Sequence, residues 1–381
     1  MKKFIKLLSC FLGLSICLSL NLTKNYANAE TVIKSKSAYL YDFNTKTEIF
    51  AYNENQRLPI ASMTKIMLLD LVYENLESGN ITLDEKVVVS KNASGMGGSQ
   101  VFLESDGSYL VKDLIKAVTV ASANDASVAL AERLYGSEEE CVKMMNEKAN
   151  SLGLKNTLFS NCTGLPKPMQ YSSAKDITMI FADLITHEIY FDYSKIWLDK
   201  IEHSKNATEI SNTNKLVRFY DGCDGGKTGF TSEAGFCLTA TAKRGNMRLI
   251  SAVIGAPDSK TRFNEVSTMF NGAFNGYENK AVLDKNLPLN NGVKVLGGKV
   301  KSIEVVPEND FFVFSKKGDK GKIDLDYNFI EVKAPISKGD VVGECVIYNN
   351  GVEVGRVNLL SNTTVDKMTY FDYVLEISKN W

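Results

Sequence analysis

The chain has 381 residues, 44% of them hydrophobic and 23% charged, with a formal net charge of -1. This is ordinary globular composition, long enough for one large domain and one small one. So balanced a charge leaves no electrostatic footprint for nucleic acid, and no nucleic-acid partner is expected.

Lys2, Lys3 and Lys6, the apolar run Leu7 to Leu20, and Ala27-Asn28-Ala29 are the parts of a secretory signal over residues 1–29. A membrane anchor is the alternative, but the apolar run is shorter than the roughly 20 residues a span needs. An exported chain, cleaved before Glu30, is therefore expected. Cys141, Cys162, Cys223, Cys237 and Cys345 remain after cleavage, odd in number and without CxxC spacing. They form neither a disulfide framework nor a zinc site and read as buried thiols, with a single bridge left open. The chain has only His187 and His203, and neither HExxH nor GxSxG occurs, which counts against zincins and nucleophile-elbow hydrolases.

Ala38 to Asp42 and Glu48 to Tyr52 alternate apolar and polar across Asn44-Thr45, which predicts a β-hairpin. Leu58-Pro59-Ile60-Ala61-Ser62-Met63-Thr64-Lys65-Ile66-Met67 then reads as the first turns of a buried helix running towards Gly79. Residues three apart share a helix face, so the Ser62 hydroxyl and the Lys65 amine stand side by side. A serine attacks well only when a neighbouring base takes its proton, and lysine serves as that base only when burial or a nearby cation keeps it neutral.

Ser94-Gly95-Met96-Gly97-Gly98-Ser99 is loop composition, and without a following GK[ST] it is not a phosphate cradle. Helical spacing covers Val111 to Val120 and Ala126 to Leu134, joined by Ala121-Ser122-Ala123-Asn124-Asp125. That connection either points Ser122 and Asn124 out of the packing or uses them as helix caps. Helices are also predicted over Ser137 to Leu152, Ser173 to Ile185 and Thr261 to Phe274. Between them, Phe236 to Ala242 and Arg248 to Ile254 form a hairpin across Arg244-Gly245-Asn246, with Lys227 on a strand beside it. The whole reads as a mixed α/β domain with an antiparallel sheet and a helical subdomain, residues 30–275.

From 276 to 365 short β-prone runs alternate with Gly, Asn and Asp turns, among them Ile303 to Val306, Phe311 to Phe314, Ile330 to Lys333 and Val354 to Val357. This predicts a small all-β domain in a spacer role. Residues 366–381 place Tyr370, Phe371, Val374, Ile377 and Trp381 at helical spacing. They form either an amphipathic helix in peripheral contact with a membrane or a helix docked on its own domain.

Ser62-x-x-Lys65, Ser122-x-Asn124 and Lys227-Thr228-Gly229 are each weak, but in this order and on these elements they are specific together. With them the chain resembles the low-molecular-mass penicillin-binding proteins that act as serine-type D-alanyl-D-alanine carboxypeptidases, in the exported two-domain form. The likeness extends over Gly98-Ser99-Gln100, Asp224-Gly225-Gly226 and Ala234-Gly235-Phe236. Gly226 departs from it, standing where an aliphatic residue is commoner, and the expectation is a looser strand around Lys227; Cys162 stands where proline is common.

The resemblance implies a penicillin-binding-protein/β-lactamase-like fold and an acyl-enzyme on Ser62, with Lys65 as general base and Lys227 as a second cation keeping it neutral. It implies that Ser122 relays a proton to the leaving D-alanine and that Asn124 holds a peptide amide. Lys227, Thr228 and Gly229 would receive the terminal carboxylate with Arg262, unless Arg262 is only solvated helix surface. The backbone N–H groups of Ser62 and Phe230 would form the oxyanion hole. The implied partners are peptidoglycan stem peptides ending in D-Ala-D-Ala, and β-lactams as covalent inhibitors; no metal or organic cofactor is implied. A β-lactamase is disfavoured because no Glu-x-x-Leu-Asn lies between Ser122 and Lys227. A non-catalytic β-lactam sensor and a transpeptidase stay open.

Overall fold

The computed structural model describes residues 33–379; the expected signal, residues 1–29, and Trp381 lie outside the described residues. Strands β1 (Ser37–Asp42) and β2 (Thr47–Tyr52) form the first hairpin. Later come β3 (Cys223–Thr231), β4 (Gly235–Arg244) and β5 (Met247–Ala256). All join one sheet in the order β2-β1-β5-β4-β3, every pair antiparallel.

Both faces of this sheet are covered, and the alternation of strand side chains divides the core in two. Ala38 and Leu40 pack with Leu238, Val253 and Phe270 on one face, under helix α5, described below. Tyr39 and Tyr41 pack with Ile66, Ile250 and Ile254 on the other, which carries the helical subdomain. At the centre of that subdomain, helix α1 (Lys65–Glu77) is buried at every position from Lys65 to Tyr73. A helix apolar on all sides has to sit inside other structure. Around it lie α2 (Asn124–Tyr135), α3 (Glu138–Ser151) and α4 (Ala174–Leu184). Ser137 caps α3 and Ser173 caps α4, while Asp258 caps α5 (Ser259–Gly276), each through a side-chain oxygen that accepts a first-turn N–H.

Four details differ from the sequence expectation. Pro59 lies outside the helix: Ile60 caps a 3-10 turn over Ala61–Thr64 that leads into α1. Val111 to Val120 is a short helix, Val111–Lys116, followed by a π-helical turn over Ala117–Ala121. Ser94, expected in a loop, closes one helical turn over Lys91–Ser94 that Ser90 caps. A helix at Tyr190–Ser194 and a hairpin of Leu198–Glu202 with Ala207–Ser211 had no counterpart in the sequence reading. The five cysteines are free and buried.

Helix α5 ends at Gly276 and the next strand starts at Tyr277. A sheet of six strands follows, in the order Ile323–Phe329, Val341–Asn349, Val352–Ser361, Ser302–Pro307, Leu289–Leu296, Val332–Lys333. Only its last pair is parallel. Asn350 and Gly351 join two of its strands, both at positive φ as a tight hairpin turn requires. Helix α6 (Tyr370–Lys379) is tied to this sheet by the Lys301–Glu376 ion pair, and it leaves Phe371 76% exposed together with Tyr370, Leu375 and Ile377. Among the described residues no helix is long and apolar enough to cross a membrane.

Candidate active site

Ser62 sits on the 3-10 turn and Lys65 opens α1, and the Lys65 Nζ donates to Ser62 Oγ at 3.2 Å. The amine is fully buried and also donates to Asn124 Oδ1 at 2.7 Å and to the Thr163 carbonyl. Burial pulls the Lys65 ammonium down to about 7, against the opposing influence of Cys162 and Asp125. Burial, one of the two expected causes, is the main one. Repulsion between the two amines adds to burial in pushing Lys227 well below the ordinary lysine range, with Arg262 contributing further.

Neither Ser122 nor Asn124 caps α2 through its side chain. Ala123 holds the cap position of α2 without a side-chain bond, and Ser122 takes a left-handed backbone, φ 63, where the π-helical turn ends. A π-turn of this kind often marks a functional site. Nor does Ser122 point out of the packing; it is buried and accepts from Lys227 Nζ at 2.7 Å. Asn124 reaches Lys65 with its carbonyl oxygen and donates through Nδ2 to Gly97 at 2.6 Å. Gly98, at φ 76, passes so near that a Cβ there would lie 2.8 Å from that amide.

Strand β3 brings the third cluster. Lys227 pairs with Thr239, Gly229 with Cys237 and Phe230 with Phe236 across the ladder. Gly229 runs against the turn that carries Ser62, where a Cβ would sit 2.5 Å from the Ile60 carbonyl and 3.3 Å from Ser62 N. Phe230 projects, half exposed, and packs on Phe236 with the rings tilted by 33° and their centroids 4.3 Å apart. Gly226 adopts φ 146, donates its N–H to the Tyr190 hydroxyl at 3.0 Å, and has no room for a Cβ beside the Thr239 carbonyl. The strand at Gly226 is therefore pinned, not loosened. Arg262 is buried, not solvated; its Nη1 donates to the carbonyls of Gly229 and Cys237, bracing β3 against β4.

Sequence reasoning missed three supports. Asp125, fully buried, accepts from the N–H groups of Val101 and Leu103 and fixes the loop beside Asn124. Thr163 acts through its carbonyl, which no residue type announces. Gly164, at φ 81, has a Cβ position only 2.0 Å from the Ala61 carbonyl, so that loop and turn meet backbone to backbone. The run Asn161-Cys162-Thr163-Gly164, with Asn161 Oδ1 accepting from Gly164 N, was the available signal.

Residues 24–258 match the family model described as D-alanyl-D-alanine carboxypeptidase, and residues 277–367 match the C-terminal domain of penicillin-binding protein 5. The D-alanyl-D-alanine carboxypeptidase DacF of Bacillus subtilis is 39% identical, the match covering 93% of this chain and 91% of that protein. Penicillin-binding protein 5 of Haemophilus influenzae superposes with a TM-score of 0.71 at 31% identity, covering 88% of this chain and 98% of its own. Penicillin-binding protein D2 of Listeria monocytogenes, solved in its ampicillin-bound form, gives a TM-score of 0.57 at 29% identity over 64% of this chain and 98% of its own. Serine, amine and strand thus sit in a chain whose two parts each match one half of a known two-domain build, and it belongs to the serine-type D-alanyl-D-alanine carboxypeptidases of peptidase family S11.

Proposed function

We propose that this carboxypeptidase works through an acyl-enzyme on Ser62, removing the terminal D-alanine from peptidoglycan stem pentapeptides. The observation that carries the mechanism is the Lys65 amine, 3.2 Å from Ser62 Oγ and brought by burial to about 7. At neutral pH a large share of it is unprotonated, as a general base requires. Lys65 takes the hydroxyl proton as Ser62 Oγ attacks the scissile carbonyl. The oxyanion is received by the N–H groups of Ser62 and Phe230, where losing one donor costs about 2.7–4 kcal/mol of barrier. Ser122, in contact with Lys227, passes a proton to the departing D-alanine nitrogen. Water then opens the ester.

Lys227, Thr228 and Gly229 receive the terminal carboxylate. Supporting this, burial, Lys65 and Arg262 all disfavour a lone charge on Lys227, so an arriving anion relieves the strain. Asn124 holds Lys65 in place and, with its amide released from Gly97, contacts the peptide. Residues 30–275 carry this chemistry, and 276–365 act as spacer. β-Lactams present a strained amide to the same serine and inhibit covalently. The basic, apolar and small-residue pattern of residues 1–29 supports export to the outer face of the membrane. The exposed rings of α6 support peripheral membrane contact, which cosedimentation with vesicles before and after removal of residues 366–381 tests.

The central test is Ser62→Ala. It abolishes both D-alanine release from a D-Ala-D-Ala peptide and a penicillin adduct by intact mass. An adduct on that variant removes Ser62 from the role. Nitrocefin turnover exceeding D-alanine release marks a β-lactamase, acylation without release a sensor, and product transfer to an added amine a transpeptidase.

A further inference from the structure

A cleft of about 530 Å³ opens beside the nucleophile's turn and shares Ala61 and Gly164 with the wall around Ser62. On its far side run residues 165–171 and the end of β3, where Thr231 follows Phe230 directly. Its walls are apolar at Leu165, Pro168 and Tyr171, and Met169 stands at the mouth, 69% exposed on a left-handed backbone. Two charged residues of opposite sign line it, Lys167 and Glu233. Neither makes an ion pair or a side-chain hydrogen bond with any described residue.

The location fixes what arrives there. A peptide with its scissile carbonyl on Ser62 and its carboxyl end towards Lys227 sends the residues before the scissile bond the other way, past Phe230 and Thr231. Stem peptides place a diamino acid just before the D-Ala-D-Ala pair, carrying either a free amine alone or a free amine beside a free carboxylate. We propose that the cleft takes this side chain and selects the form that carries the carboxylate. This deepens the carboxypeptidase reading above and rests on it. Glu233 receives the amine, Lys167 the carboxylate beside it, and the apolar walls the methylene chain that leads to both. An amine-only side chain leaves Lys167 without a counter-ion.

The experiment compares kcat/KM for two synthetic peptides ending in D-Ala-D-Ala. They differ only in the preceding residue, lysine in one and an amine-and-carboxylate diamino acid in the other. The wild-type enzyme favours the second by about fivefold, the scale of one partly exposed ion pair. Lys167→Gln brings the ratio to one. Glu233→Gln slows both peptides together and keeps the ratio, because both carry the amine. Equal rates on the two peptides in the wild type, or a ratio indifferent to Lys167→Gln, overturn this selectivity and leave the carboxypeptidase reading standing. No D-alanine from either peptide overturns that reading, and the selectivity with it.

Discussion

Lys227 Nζ donates to Ser122 Oγ at 2.7 Å, across 105 positions of sequence, and the two residues belong to different halves of the domain. Strand β3 supplies the amine and the connection before α2 supplies the hydroxyl. Removing the amine leaves a buried hydroxyl without its donor and the proposed carboxylate slot without its charge. Lys227→Gln is expected to lower kcat/KM on a D-Ala-D-Ala peptide by roughly thirty- to several thousand-fold, the equivalent of about 2–5 kcal/mol. A peptide amidated at its C-terminus loses much less. Steady-state kinetics on the two peptides checks this, and an equal loss on both removes carboxylate recognition from Lys227.

As the proposed base, Lys65 is expected to set the pH profile. Its ammonium titrates at about 7, and only the neutral amine accepts a proton. Acylation of the free enzyme therefore rises about tenfold per pH unit below 7 and levels off above it. Stopped-flow acylation by a chromogenic β-lactam between pH 5 and 9 measures the curve. A profile still climbing to pH 9 denies Lys65 the role of base.

Gly226 bears on the strand itself. A Cβ there would lie 2.5 Å from the Thr239 carbonyl and 2.6 Å from Asn214 Nδ2, on a backbone at φ 146. Gly226→Val is expected to cost about 1–3 kcal/mol from overpacking, with more from backbone strain. Acylation falls with it, because Lys227 is the next residue. Thermal melting together with penicillin labelling tests this; an unchanged melting temperature shows that the strand has slack.

His187 couples stability to pH far from the reactive serine. Its Nδ1 lies 2.7 Å from Glu77 and its Nε2 lies 3.5 Å from buried Asp70. Burial opposes the imidazolium, but the two carboxylates outweigh it and raise His187 from 6.5 to about 9. The stabilisation is complete below the unfolded value and is lost as pH rises through about 9. Burial pushes Asp70 up to about 6, so it titrates mainly below that window. Urea midpoints are expected to fall from pH 6.5 to 9.5 in the wild type, and the fall shrinks in His187→Gln. Parallel curves for the two proteins place the titration elsewhere.

What the sequence made legible was local. The three-residue spacing of Ser62 and Lys65 needs only helical geometry, and the hairpin of β4 and β5 needs only two β-prone runs and a Gly turn. The helix predicted from Ser173 to Ile185 forms over Ala174–Leu184, with the two end residues as its caps. Contacts through the backbone were not legible. The Thr163 carbonyl on Lys65, the Asp125 carboxylate on two amides and the Gly164 approach to Ala61 depend on how distant segments meet. The environment of Gly226 failed for the same reason. Its neighbours Tyr190 and Asn214 lie in a stretch without strong periodicity, and they fill the space a side chain would take.

Gly98, Gly164 and Gly229 each face a neighbour too close for even a methyl group. Any side chain introduced at these three positions therefore displaces the machinery it was meant to tune. Variation is accommodated instead where side chains stand in solvent, as Phe102, Met169 and Phe230 do.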